Sequence, residues 1–407
     1  MSFNEDWKEY KLENLIKMQK GFAFKSKDYQ EDGVKIVKVS NFTDDSIDIN
    51  SCTHISENKK NKYKKYILEN NDILISTVGS WPSNPKSVVG KVIRVPIEAK
   101  GSLLNQNIVR LKSKPEKLSQ LFLYYILRNK DFKNYIISGA RGSANQASIT
   151  LKSIRNYKFR LPSLREQEEI ADIFFAIDKK IENNNKMNKT LEEMAQVIYK
   201  NWFVDFEPFQ EEEFVESELG MIPEGWKVGY IDEFINITYG KNLAKKNMSG
   251  SGYKVFSASG LVGYHKEFLY KEPQVLMTCR GSGCGDIYES TPKSFVTNNC
   301  LVFEADEDTK INRFYLKQFL LNSNRDQFIT GSAQPQITIT NISKMKMLVP
   351  DQKTLDKFTK IIKKLNNKIN INKRENQTLK KLRDSLLPKL MSGEIRVPLD
   401  KDEKEVN

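Results

Sequence analysis

The sequence predicts an α+β protein built twice over: two mixed α/β globular domains in a pseudo-twofold, circular repeat, separated by two long helices paired as an antiparallel coiled coil. Three observations predict it. First, residues 161–203 recur without a gap 188 positions later, so that Pro162 falls on Pro350, Ile173 on Ile361, Ile177 on Leu365, Ile181 on Ile369, Asn184 on Asn372, Leu191 on Leu379 and Ile198 on Leu386. Second, both copies carry apolar residues at steps of three and four. Third, the two copies are oppositely charged.

The first helix reads from Ile170, Ile173, Ile177, Ile181, Met187, Leu191, Met194 and Ile198. The second reads from Leu355, Phe358, Ile361, Leu365, Ile369, Leu379, Leu382 and Leu386. This is a stripe on an otherwise polar helix. About forty residues at 1.5 Å each make roughly 60 Å, and a helix of that length cannot bury its stripe alone. Pairing the two copies solves this, with Ile173, Ile177, Ile181 and Leu191 on one side and Ile361, Leu365, Ile369 and Leu379 on the other. Six Lys/Arg against eight Asp/Glu leave 163–203 at −2, whereas twelve against three leave 352–393 at +9, which favours pairing between the copies over self-pairing. Asn184, Asn188, Asn372 and Asn376 interrupt both stripes at equivalent places, as a buried polar layer that fixes register would; a helix centre frayed in water is the other reading.

At 407 residues, with 39% hydrophobic and 10% aromatic content, the chain can build two or three real cores. No apolar run reaches the length of a membrane span, and Met1 is followed by a charged start, so a cytoplasmic protein with no membrane partner is expected. Cys52, Cys279, Cys284 and Cys300 are too few for a disulfide framework. A net charge of +13 points to a polyanionic partner.

In chain order, the globular halves answer each other. Trp7–Leu15 matches Trp226–Phe234. Gly21-Phe22-Ala23-Phe24 and the strand-like Val34–Val39 match Gly240-Lys241-Asn242 and Tyr253–Phe256. The apolar strands after Asp72 and Gln274 each run into a Gly-Ser turn, Gly79-Ser80 and Gly281-Ser282. Asn105–Val109 matches Asn298–Val302. Aromatic helices then follow at Leu121–Leu127 and Phe314–Leu321. Each half ends in a polar loop, Gly139–Thr150 or Gly331–Thr340, and an extended run into Leu-Pro or Val-Pro. Asp205–Gly225 is acidic, holds two prolines and lacks periodicity, and reads as a linker. The divisions are therefore 1–160, a first globular domain; 161–204, a helix; 205–224, a linker; 225–349, a second globular domain; 350–393, a second helix; and 394–407, a tail. Because the repeat is circular, the tail should lie near the start of the first domain, with its tip, Asp400–Asn407, disordered.

These residues resemble the specificity subunit of type I restriction–modification systems. The resemblance rests on Gly21-Phe22 with Phe24, on Asp72-Ile73-Leu74-Ile75, and on Leu161-Pro162 through Gln167. It rests further on Ser217, Leu219, Gly220, Ile222, Pro223, Gly225 and Trp226, and on Leu386 through Ile395. These cover almost the whole length. The resemblance implies a non-catalytic adaptor whose two target-recognition domains each read half of a split site in double-stranded DNA. The helices would set the spacer and recruit two methyltransferase subunits, which restriction/translocase subunits would join. S-adenosylmethionine, ATP and Mg would be bound by those partners, and no cofactor by this chain. A specificity subunit of a type II system, working with a fused methyltransferase–nuclease, is the alternative.

The residues themselves agree with an adaptor. There is no Asn/Asp-Pro-Pro-aromatic motif for amino methylation. Gly281–Gly285 after a strand reads as a tight turn and not a nucleotide cradle, since no helical pattern follows. Cys279, Cys284, Cys300 and His265 lack the CxxC pairing of a zinc site, and Asp351 reads as a helix cap. Base readout needs donors and acceptors on loops: Arg141, Ser143, Asn145 and Gln146 in the first domain, and Arg280, Ser282, Gln334 and Gln336 in the second. Lys25, Lys27, Lys241, Lys245 and Lys246 suit phosphate contacts.

Overall fold

A computed structural model of the chain describes residues 7–81, 87–143, 146–305, 311–331 and 333–398. Asn145 and the tip Asp400–Asn407 lie outside the described residues. The chain forms two compact units, the first built from two segments, Met1–Glu182 with Glu375–Asn407, and the second from one, Asn183–Arg374. Each long helix thus divides near its middle, giving one half to each unit.

In the first unit a four-stranded antiparallel sheet runs in the order Ile16–Lys20, Ile108–Ser113, Ile73–Ser76, Val92–Arg94. A second, mixed sheet holds Tyr29–Gln30, Thr53–Ile55, Val34–Val37 and Leu103–Leu104. Lys8–Lys11 pairs antiparallel with Lys158–Leu161, so the domain closes beside its own start before the chain enters the first long helix, Leu164–Phe203. Pro162 and Ser163 stop the strand and open the helix: the Ser163 hydroxyl accepts from the Glu166 amide at 3.3 Å. Gln167, 1% exposed, ties this helix start to the domain. Its Oε1 accepts from the Ser119 amide, and its Nε2 donates to the carbonyls of Lys117 and Pro162.

The second unit repeats the plan. Its four-stranded sheet is ordered Asn236–Tyr239, Cys300–Glu304, Val275–Thr278, Ile287–Glu289, beside a three-stranded sheet of Gly260–His265, Tyr253–Ser257 and Ser294–Val296. Lys227–Tyr230 pairs with Lys346–Val349 ahead of the second long helix, Gln352–Ser392. Asp351 caps that helix: its carboxylate accepts from the Thr354 amide and hydroxyl and from Trp226 Nε1. Gly393, at φ 73°, ends it in the left-handed conformation that glycine tolerates.

The helices pair antiparallel within each unit. In the first, Arg383 meets Asp178 at 2.7 Å and Lys180 meets Glu375 at 3.4 Å. In the second, Phe358 packs on Phe203 with ring centroids 4.9 Å apart, and Asn372 Nδ2 donates to Asn188 Oδ1 at 2.9 Å. Asn184, Asn188, Asn372 and Asn376 are all buried, as expected of a polar layer. Ile177, Ile181 and Ile369 are buried, and Leu191, Leu365 and Leu379 half-buried.

Other positions in the apolar stripe are corrected. Ile173, Met187, Met194 and Leu382 are 38–45% exposed, and Phe174, Asn188, Ala195 and Arg383 hold the buried positions beside them. Ile361 is half-buried while Ile362 is 0% exposed. Each helix half also buries a flank against its own globular domain: Phe174 lies against Tyr125 (5.2 Å) and Tyr199 against Tyr315 (5.6 Å). The buried face is therefore wider than a two-helix seam and rotated from it.

The stretch read as a linker is folded. After a short turn at Glu207–Phe209, Phe214–Ser217 and Gly220–Pro223 form a hairpin. Phe209 and Ile222 are buried, and Phe209 packs edge-on against Trp226. Three aromatic and aliphatic anchors suffice to order an acidic segment that lacks periodicity. At the other end of the chain, the tail returns to the first domain as expected. Val397 is buried, the Arg396 guanidinium lies over the Trp7 ring, and Arg396 forks onto Glu166 at 2.5 and 2.8 Å.

Candidate nucleic-acid interface

The sheet registers place the predicted loops together. In the first unit Val109 opposes Lys20 and Ile108 opposes Ser76. Two strands therefore end where the strand between them begins, and three connections, Gly21–Lys27, Thr77–Trp81 and Asn105–Asn107, emerge at one end of the sheet. Gly21 is required there, because a Cβ would lie 1.9 Å from the Asn105 carbonyl oxygen. The Thr77 amide and hydroxyl both donate to the Asn107 carbonyl, at 2.8 and 3.0 Å.

The polar loop joins the same end. Arg141–Ser143 and Gln146–Ser148 form a hairpin whose second strand pairs with Val78–Gly79. Successive strand residues face opposite sides. Ala147, 0% exposed, faces inward, so Arg141, Ser143 and Gln146 share the outward face, and all three are exposed. Gly142 allows the two strands to approach, since a Cβ would meet the Gln146 carbonyl at 1.8 Å. Trp81 Nε1 donates to the Ser143 carbonyl at 2.7 Å and braces the hairpin. Sequence reasoning missed that role, because nothing local to Trp81 signals a partner 62 residues away. Lys25 and Lys27 are exposed on the first connection.

The second unit builds the same site from different residues. Tyr239 opposes Leu301 and Thr278 opposes Cys300, so Gly240–Lys246, Asn298–Asn299 and Cys279–Gly285 emerge together. Lys241 bridges Thr297 in parallel as Phe22 bridges Asn105. The polar loop arrives by pairing Arg280 with Gln336, reinforced by the Gly281 amide donating to Pro335 and the Ile337 amide to Cys279. Arg280, Ser282, Gln334, Lys241, Lys245 and Lys246 are exposed, and Gln336 is half-buried. Gly281–Gly285 is a tight turn, closed by the Cys284 amide on the Gly281 carbonyl at 3.0 Å, with Gly281 and Gly285 at positive φ.

These ends offer exposed hydrogen-bonding and charged side chains. Among the described residues no group of three or more His, Cys, Asp or Glu could hold a metal ion. Burial pushes the Cys300 thiol up to about 11, and its sulfur lies 2.9 Å from the Tyr288 hydroxyl. A hydrogen bond from Lys59, 2.7 Å long, holds the Asp28 carboxyl below its usual range, so the acid beside Lys25 and Lys27 stays neutralised as an ion pair. No described helix is long and apolar enough to cross a membrane.

Two like units each present exposed polar loops at the end of a four-stranded sheet, and each holds half of a helix pair. Residues 4–193 and 223–381 match the family described as the type I restriction modification DNA specificity domain, and the chain belongs to that family. The type I restriction enzyme MjaIX specificity subunit of Methanocaldococcus jannaschii is 29% identical over 351 residues, which span 77% of this chain and 78% of that protein. The putative type I restriction enzyme MjaX specificity subunit of the same organism is 24% identical over 97% of this chain and 94% of its own length. In fold, the chain is similar to the crystal structure of a type I restriction-modification system S subunit from M. genitalium, with TM-score 0.57 and 19% identity, covering 96% of this chain and 98% of that one.

Proposed function

We propose that this chain is the DNA-specificity subunit of a type I restriction–modification complex, each unit reading one half of a split duplex site. The observation that carries the reading is the shared geometry of the two sheet ends. Separate loops of opposite origin in the sequence converge there twice, with Arg141, Ser143 and Gln146 in one unit and Arg280, Ser282 and Gln334 in the other. Arginine suits guanine and glutamine suits adenine in the major groove. Lys25, Lys27, Lys241, Lys245 and Lys246 flank them for phosphate contact. Relatives that are type I specificity subunits along most of their length support it further.

In this reading the chain performs no catalysis. Two methyltransferase subunits dock on the helix pair, and restriction/translocase subunits join them. S-adenosylmethionine, ATP and Mg belong to those partners, and the work is done in the cytoplasm. Ile173, Met187, Met194, Val197, Ile371 and Leu382, 38–66% exposed on the helices, supply the apolar anchors for docking. The test is methylation mapping of the host genome with and without this gene. Loss of one bipartite motif on deletion is the expected result; an unchanged methylome, with the partner genes intact and expressed, refutes the assignment.

A further inference from the structure

We infer that the first unit carries a clamp for the phosphate backbone of duplex DNA which the second unit lacks, formed by the lysine-rich segment Glu57–Tyr66. The inference rests on the DNA-specificity reading above. The segment is a run of 3-10 turns holding Lys59, Lys60, Lys62, Lys64 and Lys65 against a single acid, Glu57. Its two aromatic residues anchor it. Tyr63 is 7% exposed and packs 5.0 Å from Phe22 and 5.1 Å from Phe24, and Tyr66 lies 5.3 Å from Phe22. Phe22 follows Gly21 on the connection that leaves the recognition end of the sheet. The lysines are therefore held beside the reading loop, on a rigid support.

The ion pairs divide them. Lys59 is committed to Asp28 at 2.7 Å, and Lys60 leans on Glu57 at 3.8 Å. Lys62, Lys64 and Lys65 are exposed and have no carboxylate within ion-pair distance among the described residues. Three uncompensated ammonium groups beside a DNA-reading edge suit phosphate oxygens. They are point charges without the planar fork that reads a base, so they add affinity without sequence information. An acidic protein surface would satisfy the same charges, but the Phe22 contact makes the patch continuous with the recognition end.

The corresponding stretch of the second unit is not basic. Ile67 bridges Leu103 antiparallel, next to the parallel pair Ile36–Leu103; Tyr270 bridges Ser294 next to the parallel pair Lys254–Ser294. These matching bridges align Glu57–Tyr66 with the residues just before Tyr270. Between the strand Gly260–His265 and Tyr270 the only charges are Lys266 and Glu267, which cancel, and just past Tyr270 Lys271 is matched by Glu272. One head thus grips the backbone more strongly than the other.

Salt dependence of binding tests this. The purified full-length chain with its methyltransferase subunits is titrated against a duplex bearing its mapped target between 50 and 200 mM salt, as wild type, K62Q/K64Q/K65Q, K62R/K64R/K65R and K266Q/K271Q. Each lost phosphate contact flattens the slope of log K against log salt by about 0.9, so the triple Gln variant should be flatter by about 2.7. The Arg variant should keep the wild-type slope, K266Q/K271Q should change it by less than half as much as the triple, and the methylated motif should be the same in all four. A wild-type slope in the triple Gln variant overturns the clamp, including where assembly with the partners is lost instead, which would assign the lysines to a protein contact. An equal drop in K266Q/K271Q overturns the asymmetry. Absence of sequence-specific binding by the wild-type complex would refute the underlying reading as well.

Discussion

Asp178 and Arg383 stand 205 residues apart in the chain and meet at 2.7 Å, joining the two long helices inside the first unit. The same carboxylate accepts from the Tyr125 hydroxyl at 3.0 Å and lies 3.5 Å from Arg128, which in turn pairs with Asp45 at 2.6 Å. One acid therefore ties both helices to the globular domain. Arg128 and Arg383 both hold their protons more firmly than a free guanidinium despite the cost of burial, Arg128 because Tyr124, Asp45 and Asp178 favour the charge and Arg383 because Asp178 and Asp45 outweigh the neighbouring Arg128. Removing Arg383 takes away the shortest partner of Asp178 and leaves that carboxylate with Arg128 and Tyr125 alone. Arg383→Met should cost about 1.5–3 kcal/mol. In differential scanning calorimetry this should appear as a lower melting transition for the first unit alone, and a wild-type thermogram would show that the cluster contributes nothing.

The asparagine pair at 188 and 372 should behave differently. Asn372 is 0% exposed and Asn188 7%. Replacing only Asn372 by Leu strands the Asn188 amide and should cost about 1–3 kcal/mol. Replacing both by Leu should recover most of that loss, since a matched apolar layer needs no hydrogen bond, while weakening the specification of helix register. A double-mutant cycle by urea denaturation reads the coupling directly; strict additivity of the two changes would mean the 2.9 Å contact is not felt.

Much of this architecture was legible in the sequence because its repeat is long and gapless, and a stripe at steps of three and four has few readings other than a helix. What could not be read was which flank of each helix faces inward. Ile173 and Phe174 are both apolar neighbours, and only the presence of Tyr125 in the globular domain decides that Phe174 is buried. Nor does the sequence mark Asp178 and Arg383 as partners, since they lie on different elements at no periodic distance. At the recognition ends, the loops were identifiable by composition, but their convergence depends on strand register, and the brace from Trp81 to Ser143 carries no sequence signature. The linker failed as a reading because ordering by Phe209, Ile222 and Trp226 requires only three side chains, too few to make a pattern.

The exposed apolar residues of the helices should matter for assembly and not for folding. Met194 is 45% exposed and Val197 66%. Substituting both by Asp should change stability by less than about 1 kcal/mol, as surface substitutions do. Co-purification with methyltransferase subunits should nevertheless fall sharply. Normal recruitment by a stably folded M194D/V197D variant would place the docking surface elsewhere.

For the reading loops, Arg141 and Gln146 share the outward face of a braced hairpin. Alanine at either should relax one position of the half-site read by the first unit, at about 1–3 kcal/mol of discrimination, and leave the other half-site intact. Methylation mapping of each variant distinguishes base readout from backbone contact. A uniform drop in methylation with an unchanged motif would assign the residue to the phosphates.

The last prediction concerns the helices as a ruler. The two units divide each helix between Glu182 and Asn183 and between Arg374 and Glu375, so extra residues near these points lengthen the pair without altering either globular domain. Four residues inserted after Asn185 and four after Lys373 add roughly 6 Å, and because four is close to one turn of 3.6 the buried faces stay nearly in phase. Base pairs stack about 3.4 Å apart, so the two half-sites should separate by one or two base pairs. The bases within each half-site should be unchanged, since Arg141, Gln146, Arg280 and Gln334 keep their surroundings. A methylation map of the lengthened chain decides between the outcomes. An active variant with the original spacer means that the helices do not measure the gap, whereas altered half-sites mean that the helices themselves take part in reading bases.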